Sequence, residues 1–359
     1  MKQMVLRLST LNFDIEDGEH QMREMSESDG STASNFASGL SVNNKDGDLI
    51  FSVSKDHRIN VWFSHNGERL GTYEGHNGTV WTVSVDKNTE FLVSGSADNT
   101  LKLWSVKTGT CLYTWEFPTA IKRVQWSNDD TKILAVTEER MGYKGALRIL
   151  DINKEQPTQQ AAEPSIFFEP PGSKVTVAAF TANKNELVTA HESGKVAKFN
   201  YQDKTQTAAN EDAHQDSIQD LQMSQDQTYF ITSSKDKVSK LFDTNTLQVV
   251  KTFATDSPLN SASIAPGSPY IVLGGGQEAM DVTTTGARQG KFECRFWHKV
   301  FEEEVGRVKG HFGPINTIAV HPQGKAFASG GEDGYVRVHW FDDSYFRTKV
   351  YGDLEPELD

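Results

Sequence analysis

Cysteine is almost absent from this chain of 359 residues. Cys111 and Cys294 are the only two, too few for a zinc site or a disulfide framework, and such usage fits a reducing, cytosolic setting. No run approaches the ~20 apolar residues that a membrane helix requires. The start lacks the basic-then-apolar order of a signal peptide. A basic face is missing as well. Of a net charge of −13, Asp14 to Asp29 contributes −6 and Asp342 to Asp359 contributes −4, which leaves about −3 for the body. A chain that neutralised phosphates by itself would cluster Lys and Arg, so direct nucleic-acid binding is not expected. Hydrophobic residues at 36% and aromatics at 10% suffice for a core, in two ordinary domains or in one large β architecture.

An internal repeat decides between those two. "GHNGTVWTVSVDKNTEFLVSGSADNTLKLWS" (Gly75 to Ser105) aligns without a gap with "AHQDSIQDLQMSQDQTYFITSSKDKVSKLFD" from Ala213 and with a segment from Gly310. His76, His214 and His311 lead the three copies. Eighteen residues on stand Ser94, Thr232 and Ser329, then after four more Asp98, Asp236 and Asp333, and after a further six Trp104, Phe242 and His339. "FSVSKDHRINVWF" repeats the pattern with Ser52, Asp56 and Trp62 but without the His. Weaker copies run over Ile133 to Asp151, Glu186 to Asn200 and Tyr270 to His298, which makes seven units.

Within a unit, Trp81, Val83 and Val85 alternate with Thr82 and Ser84, the period of a pleated strand. Short β-rich runs follow, separated by turn pairs such as Asp98-Asn99. Four short antiparallel strands per unit, repeated seven times, predict an all-β, seven-bladed WD40 β-propeller, since a closed ring of blades protects strand edges that an open sheet would expose. A His, a Ser and an Asp that recur at one spacing are not a hydrolase triad, which an enzyme needs once per active site. They read as buried struts whose polar atoms satisfy one another. Gly274-Gly275-Gly276 lacks the Lys and Ser/Thr of a phosphate loop and reads as a strand entering a long hairpin at Asp281 to Lys291, an insertion suited to partner contact. Trp115, Trp126 and Trp297 read as blade packing rather than as base-stacking platforms, and Glu302 to Glu304 as a solvated loop. The residues present no catalytic, cofactor or metal set.

The units, taken with "NGERLGTYEGH" (Asn66 to His76), "LGGGQEAMDVTTT" (Leu273 to Thr285), "EEEVGRVKGHFGPIN" (Glu302 to Asn316) and "GGEDGYVRVH" (Gly330 to His339), resemble the WD-repeat subunit i family of eukaryotic translation initiation factor 3 over about Asn44 to Phe346. That resemblance implies a non-enzymatic, cytoplasmic scaffold in a complex that assembles on the small ribosomal subunit and supports mRNA recruitment and scanning. It implies partners too: the C-terminal helix of subunit b along the fifth and sixth blades, and subunit g in the same module. On those blades Asp226, Leu241 and Asp243 are candidate contacts, an apolar residue flanked by carboxylates suiting a helix with an aromatic and an Arg. The alternative reading packs Leu241 between blades and leaves both aspartates as turn residues. A phosphopeptide adaptor would need Lys or Arg at matching positions of several blades, and a propeller hydrolase one blade-specific constellation; neither set is visible.

The chain divides into an atypical segment at 1–43, a propeller at 44–346 and an acidic tail at 347–359. The leading His expected before Asp56 falls on Ser34. Ser9 to Ser41 shows no β pattern and reads as disordered. Met4 to Leu8 is expected to close the ring beside Tyr335 to Phe341, with Ile15 to Ser38 loosely held. Alternatively the segment is a product of splicing or of a mistaken gene model and leaves the first blade short of its inner strand.

Overall fold

A computed structural model describes residues 8–14, 37–42, 46–183, 185–276 and 292–342. The expected seven-bladed propeller is the fold: seven four-stranded antiparallel sheets, with no helix among the described residues. The innermost strands, blade one to blade seven, are Ala37–Val42 (β2), Val80–Val85 (β6), Ile121–Trp126 (β10), Val175–Phe180 (β14), Ile218–Met223 (β18), Leu259–Ile264 (β22) and Ile315–Val320 (β26). Each touches the next, and β26 returns to β2, so the ring closes.

All seven inner strands carry a register break after their first residue, at positions such as Ala37/Gly39, Val80/Thr82, Leu259/Ser261 and Ile315/Thr317. Such a bulge re-aims a side chain, and here several of the re-aimed ones reach the next blade. Ser38 Oγ donates to the Val80 carbonyl, Asn260 Nδ2 to Ile315 O at 3.1 Å, and Asn316 Nδ2 to Ala37 O at 3.2 Å. Adjacent positions add to the ring. Thr82 Oγ1 accepts from Val124 N, Gln125 Oε1 from Phe180 N, and Ser261 Oγ from Ile318 N while donating to Asp220 Oδ2 at 2.7 Å. Backbone groups that the bulges release thus find partners in the neighbouring blade.

Between blades the core is apolar. Phe51, Ile59 and Tyr73 of blade one meet Val83, Leu92 and Trp104 of blade two, and the same arrangement recurs around the ring. Burying a large apolar side chain contributes about 1.5–3 kcal/mol, so each interface is a substantial part of the stability.

The N-terminal end corrects two expectations. Blade seven takes its outer strand from Leu8–Asp14 (β1), which pairs antiparallel with Tyr335–Phe341 (β28) from Leu8↔Phe341 to Asp14↔Tyr335. The strand therefore lies further along than the expected Met4 to Leu8, of which only Leu8 is among the described residues. Blade one has its inner strand, in Ala37–Val42, within the stretch read as lacking β pattern. Both strands hid for physical reasons. "LSTLNFD" is short and alternates only weakly. In "ASGLSV" small residues are required, because a Cβ on Gly39 would stand 2.8 Å from the Trp81 carbonyl oxygen. Ser34, the residues 15–36, the Asp281 to Lys291 hairpin and the acidic tail lie outside the described residues. Gly274 and Gly275 end the strand Tyr270–Gly275, which pairs on both sides within blade six.

Candidate functional site: struts and a partner-facing surface

The repeated polar positions meet in space. His76 lies in the connection from blade one to blade two, Ser94 in strand Phe91–Ser96, Asp98 in the following turn and Trp104 in strand Thr100–Ser105. His76 Nδ1–H donates to Asp98 Oδ2 at 2.9 Å, the Ser94 hydroxyl lies 2.7 Å from Nε2, and Trp104 Nε1–H donates to Ser94 Oγ at 2.8 Å. Asp98 also accepts the Asn77 and Thr100 backbone N–H groups and the Thr100 hydroxyl. Burial alone would raise the pKa of Asp98, but the hydrogen bonds from His76, Thr100 and Asn77, with the His76 charge, hold it well below the usual carboxylate range. The residue after the Asp takes positive φ: His57 at 72°, Asn99 at 66° and Lys237 at 69°. That conformation costs a non-glycine residue about 1–2 kcal/mol, and the Asp offsets it by accepting the N–H one residue further on.

Blade five repeats the strut with His214, 2.9 Å from Asp236 Oδ2 and 2.8 Å from Thr232 Oγ1. Burial opposes ionisation of Asp236, yet the His214 hydrogen bond and the Gln215 N–H bring its pKa down to about 2. Phe242 in the Trp position has no donor and instead stacks on Phe230 with centroids 5.2 Å apart. Blade seven joins His311 to Asp333 at 3.0 Å and to Ser329 at 2.8 Å, and Arg337 Nη1 reaches Asp333 Oδ2 at 2.8 Å. His339 in the Trp position stacks on Phe327 at 4.7 Å, and burial, with the His311 and Arg337 charges adding, pushes its pKa down to about 3. In blade one Trp62 Nε1–H donates to Ser52 Oγ at 2.9 Å without a leading His.

Two struts escaped the spacing argument. His191 in blade four is fully buried within a strand, 2.9 Å from Thr189 Oγ1, with Nδ1–H donating to the Ser173 carbonyl at 2.8 Å. It replaces the leading His from a different chain position, so no fixed offset finds it. In blade six Arg295, also buried, pairs with Asp256. After the leading histidines stand Asn77, Gln215 and Phe312, none of them a cation.

On blades five and six the three candidates separate. Leu241 is 5% exposed and packs with Ile231, Phe253, Leu259, Ile271 and Leu273 between the two blades. Its side chain lies beneath the surface in this structure, as the packing alternative expects. Asp226 is exposed and caps its turn, accepting Ser224 Oγ–H at 2.6 Å and the Thr228 hydroxyl at 2.9 Å. Asp243 Oδ1 accepts the Asn245 and Thr246 N–H groups and the Thr246 hydroxyl. Its Oδ2 accepts no hydrogen bond among the described residues. Those local donors hold both carboxyls below their ordinary pKa, the Ser224 hydroxyl leading for Asp226 and the Thr246 N–H for Asp243.

The surface contains more than sequence reading assigned to it. Val249 and Val250 on the outer strand of blade five, and Val300 and Phe301 in the last turn of blade six, are 40–58% exposed. Lys251 ties the two edges together through Glu302 at 3.3 Å. Lys299, beside Val300, lies over the Tyr229 ring at 5.9 Å and in the field of Asp226. The sequence signal was the pair "VV" and the "HKVFEEE" turn, where apolar residues sit at positions that solvent would ordinarily claim. Glu302, read as solvated, is thus an ion-pair partner. Trp115 and Trp126 are buried, and Trp297 packs edge-on against Phe253 at 5.9 Å.

Comparison with known proteins adds an independent finding. A family model described as EIF3I matches residues 41–351. The chain is 60% identical over 327 residues to eukaryotic translation initiation factor 3 subunit I of Mycosarcoma maydis, covering 88% of this chain and 94% of that protein. It is 55% identical over 308 residues to the Schizosaccharomyces pombe protein of the same name, covering 85% and 94%, and 56% identical over 306 residues to that of Aspergillus oryzae, covering 84% and 91%.

Proposed function

The chain belongs to the family of subunit I of eukaryotic translation initiation factor 3, and on that premise we propose that it is the factor's non-catalytic scaffold. Its work is to hold the C-terminal helix of subunit b against blades five and six, with subunit g in the same module, so that the complex assembles on the small ribosomal subunit in the cytoplasm and supports mRNA recruitment and scanning. The observation that carries this reading is the exposure of Val250, Val300 and Phe301 on two blade edges that the Lys251–Glu302 pair joins, with the Asp226 and Asp243 carboxylates of blade five already fixed in orientation. An amphipathic helix buries its apolar face on exposed apolar residues of this kind. The open Oδ2 of Asp243 suits an Arg of that helix. Preset carboxylates lose little freedom on binding, which favours affinity. Leu241 contributes from below by fixing the separation of the two blades.

The test is titration of the intact chain with a peptide of the subunit b C-terminal segment, followed by calorimetry. Asp243→Lys is expected to weaken binding by roughly tenfold to a hundredfold, the loss of one charge-assisted hydrogen bond plus a like charge. Unchanged affinity would remove Asp243 and this surface from the site.

A further inference from the structure

Blade three carries a second groove, remote in sequence from that surface. It has a volume of about 620 Å³ and is lined by Pro118, Tyr143, Lys144, Arg148, Glu163 and Phe167, among others. Arg148, in strand Ala146–Asp151, stands opposite Phe167 of the short outer strand Ile166–Phe168. Its guanidinium carbon lies 4.9 Å from the Phe117 ring centroid and 4.7 Å from that of Phe167, so an aromatic ring is packed against it from each of two elements. No hydrogen bond or ion pair engages this guanidinium among the described residues, and its Nε is buried without a partner. Lys144 is already drawn to Glu169 at 3.9 Å.

Burial lowers the pKa of this half-buried cation, Glu163 and Glu169 oppose that shift only from a distance, and the one donor sealed from water, Nε, has nothing in exchange. The rim adds a second anomaly. Met141, at the tip of the 139–145 hairpin, is 90% exposed at a φ of 53°, Tyr143 is 56% exposed and Phe167 39%. An apolar residue held at positive φ in open solvent, beside two exposed aromatics, marks a contact surface.

We propose that this groove binds an extended segment of a partner protein, whose aspartate or glutamate pairs with the Arg148 guanidinium while a neighbouring apolar residue lies against Tyr143 and Phe167. Charge decides the class of occupant. With rings against it from two elements and Nε buried, Arg148 offers its terminal nitrogens, which a planar carboxylate matches with two parallel hydrogen bonds. Glu163 and Glu169 line the same groove and act on Arg148 from beyond ion-pair distance; they repel a run of phosphates more than the single carboxylate that Arg148 would hold directly, and they accept peptide N–H groups. A nucleic-acid strand is therefore disfavoured, and the chain has no basic track to continue one. The inference stands apart from the surface on blades five and six.

The test uses the full chain and a display library of short random peptides, with the enriched sequences synthesised and measured by fluorescence anisotropy. Enriched peptides are expected to share an acidic residue next to an aromatic or aliphatic one, and Asp→Asn in the peptide to weaken binding at least about tenfold. Arg148→Lys is expected to weaken it to a similar degree although the charge is kept, because the planar fork is lost. Tyr143→Ser, at an exposed position, is expected to weaken it by roughly threefold with the melting temperature unchanged, which separates loss of contact from loss of fold. The subunit b peptide serves as a control and should bind all variants like the parent. Enrichment without an acidic residue, or affinity indifferent to both Arg148→Lys and Tyr143→Ser, overturns the proposal. So does displacement of the peptides by a single-stranded oligouridylate.

Discussion

Replacing His76 by Ala isolates one strut. The substitution removes the hydrogen bond to Asp98 at 2.9 Å and that to Ser94 at 2.7 Å, in a site where the His side chain is 1% exposed. Asp98 keeps its contacts to Asn77 N, Thr100 N and the Thr100 hydroxyl, and Ser94 keeps the Trp104 donor. The loss is thus one charge-assisted and one neutral buried hydrogen bond, together with the space the imidazole filled beside Trp104. Those terms sum to about 3–5 kcal/mol. With an unfolding entropy of ~2.1 cal/mol/K per residue over the roughly 300 described residues, the melting temperature should fall by roughly 5–8 °C. Scanning calorimetry measures this directly, with Thr108→Ala in an exposed hairpin as the control that should shift by less than about one degree. A His76→Ala protein that melted with its parent would refute the strut. One that kept its stability but lost a turnover would mean that the repeated triad does chemistry after all.

Other perturbations follow from the same geometry. The folded-state pKa of His339 is depressed to about 3, so its contribution is fully present above the unfolded value near 6.5 and is lost as pH falls towards 3. His339→Phe should accordingly flatten the stability–pH curve in that window, by at most about 1.4 kcal/mol per pH unit; a curve of unchanged slope in urea titrations would exclude His339 as its source. Asp98 and Asp236 are depressed as well, so acid destabilisation should steepen below pH 4. Gly194 has a φ of 86° and an added Cβ would lie 2.2 Å from the His214 carbonyl oxygen, so Gly194→Ala should cost more than about 3 kcal/mol by disrupting the join of blades four and five, read by denaturant midpoint. Deleting residues 1–14 bares the edge of β28 along seven paired positions and should produce concentration-dependent association in light scattering, whereas a monomer of parental stability would show that β1 is dispensable.

The sequence by itself determined the blades. Strand alternation, turn pairs and the His–Ser–Asp spacing are local or periodic quantities, and a repeat displays them several times over, so copies that had drifted, such as Ser52, Asp56 and Trp62, could still be aligned. Membership of the family was legible for the same reason, since stretches like "NGERLGTYEGH" survive as contiguous text. Tertiary structure alone decided what each residue faces. Leu241 and Phe301 are both apolar on neighbouring blades, yet one is sealed between sheets and the other half-exposed, and that difference arises from how two twisted sheets meet. His191 serves as a strut from an unexpected chain position, because a strut is defined by where its nitrogens end up. Arg148 was indistinguishable from any strand arginine until Phe117 and Phe167 came to lie against its guanidinium from two separate elements. Ring closure was legible in part: an N-terminal strand beside Tyr335 to Phe341 was expected from the sequence, and only its exact position, Leu8–Asp14, was left to the structure. The register, from Leu8↔Phe341 to Asp14↔Tyr335, depends on the accumulated rotation of the intervening blades, which no local pattern encodes.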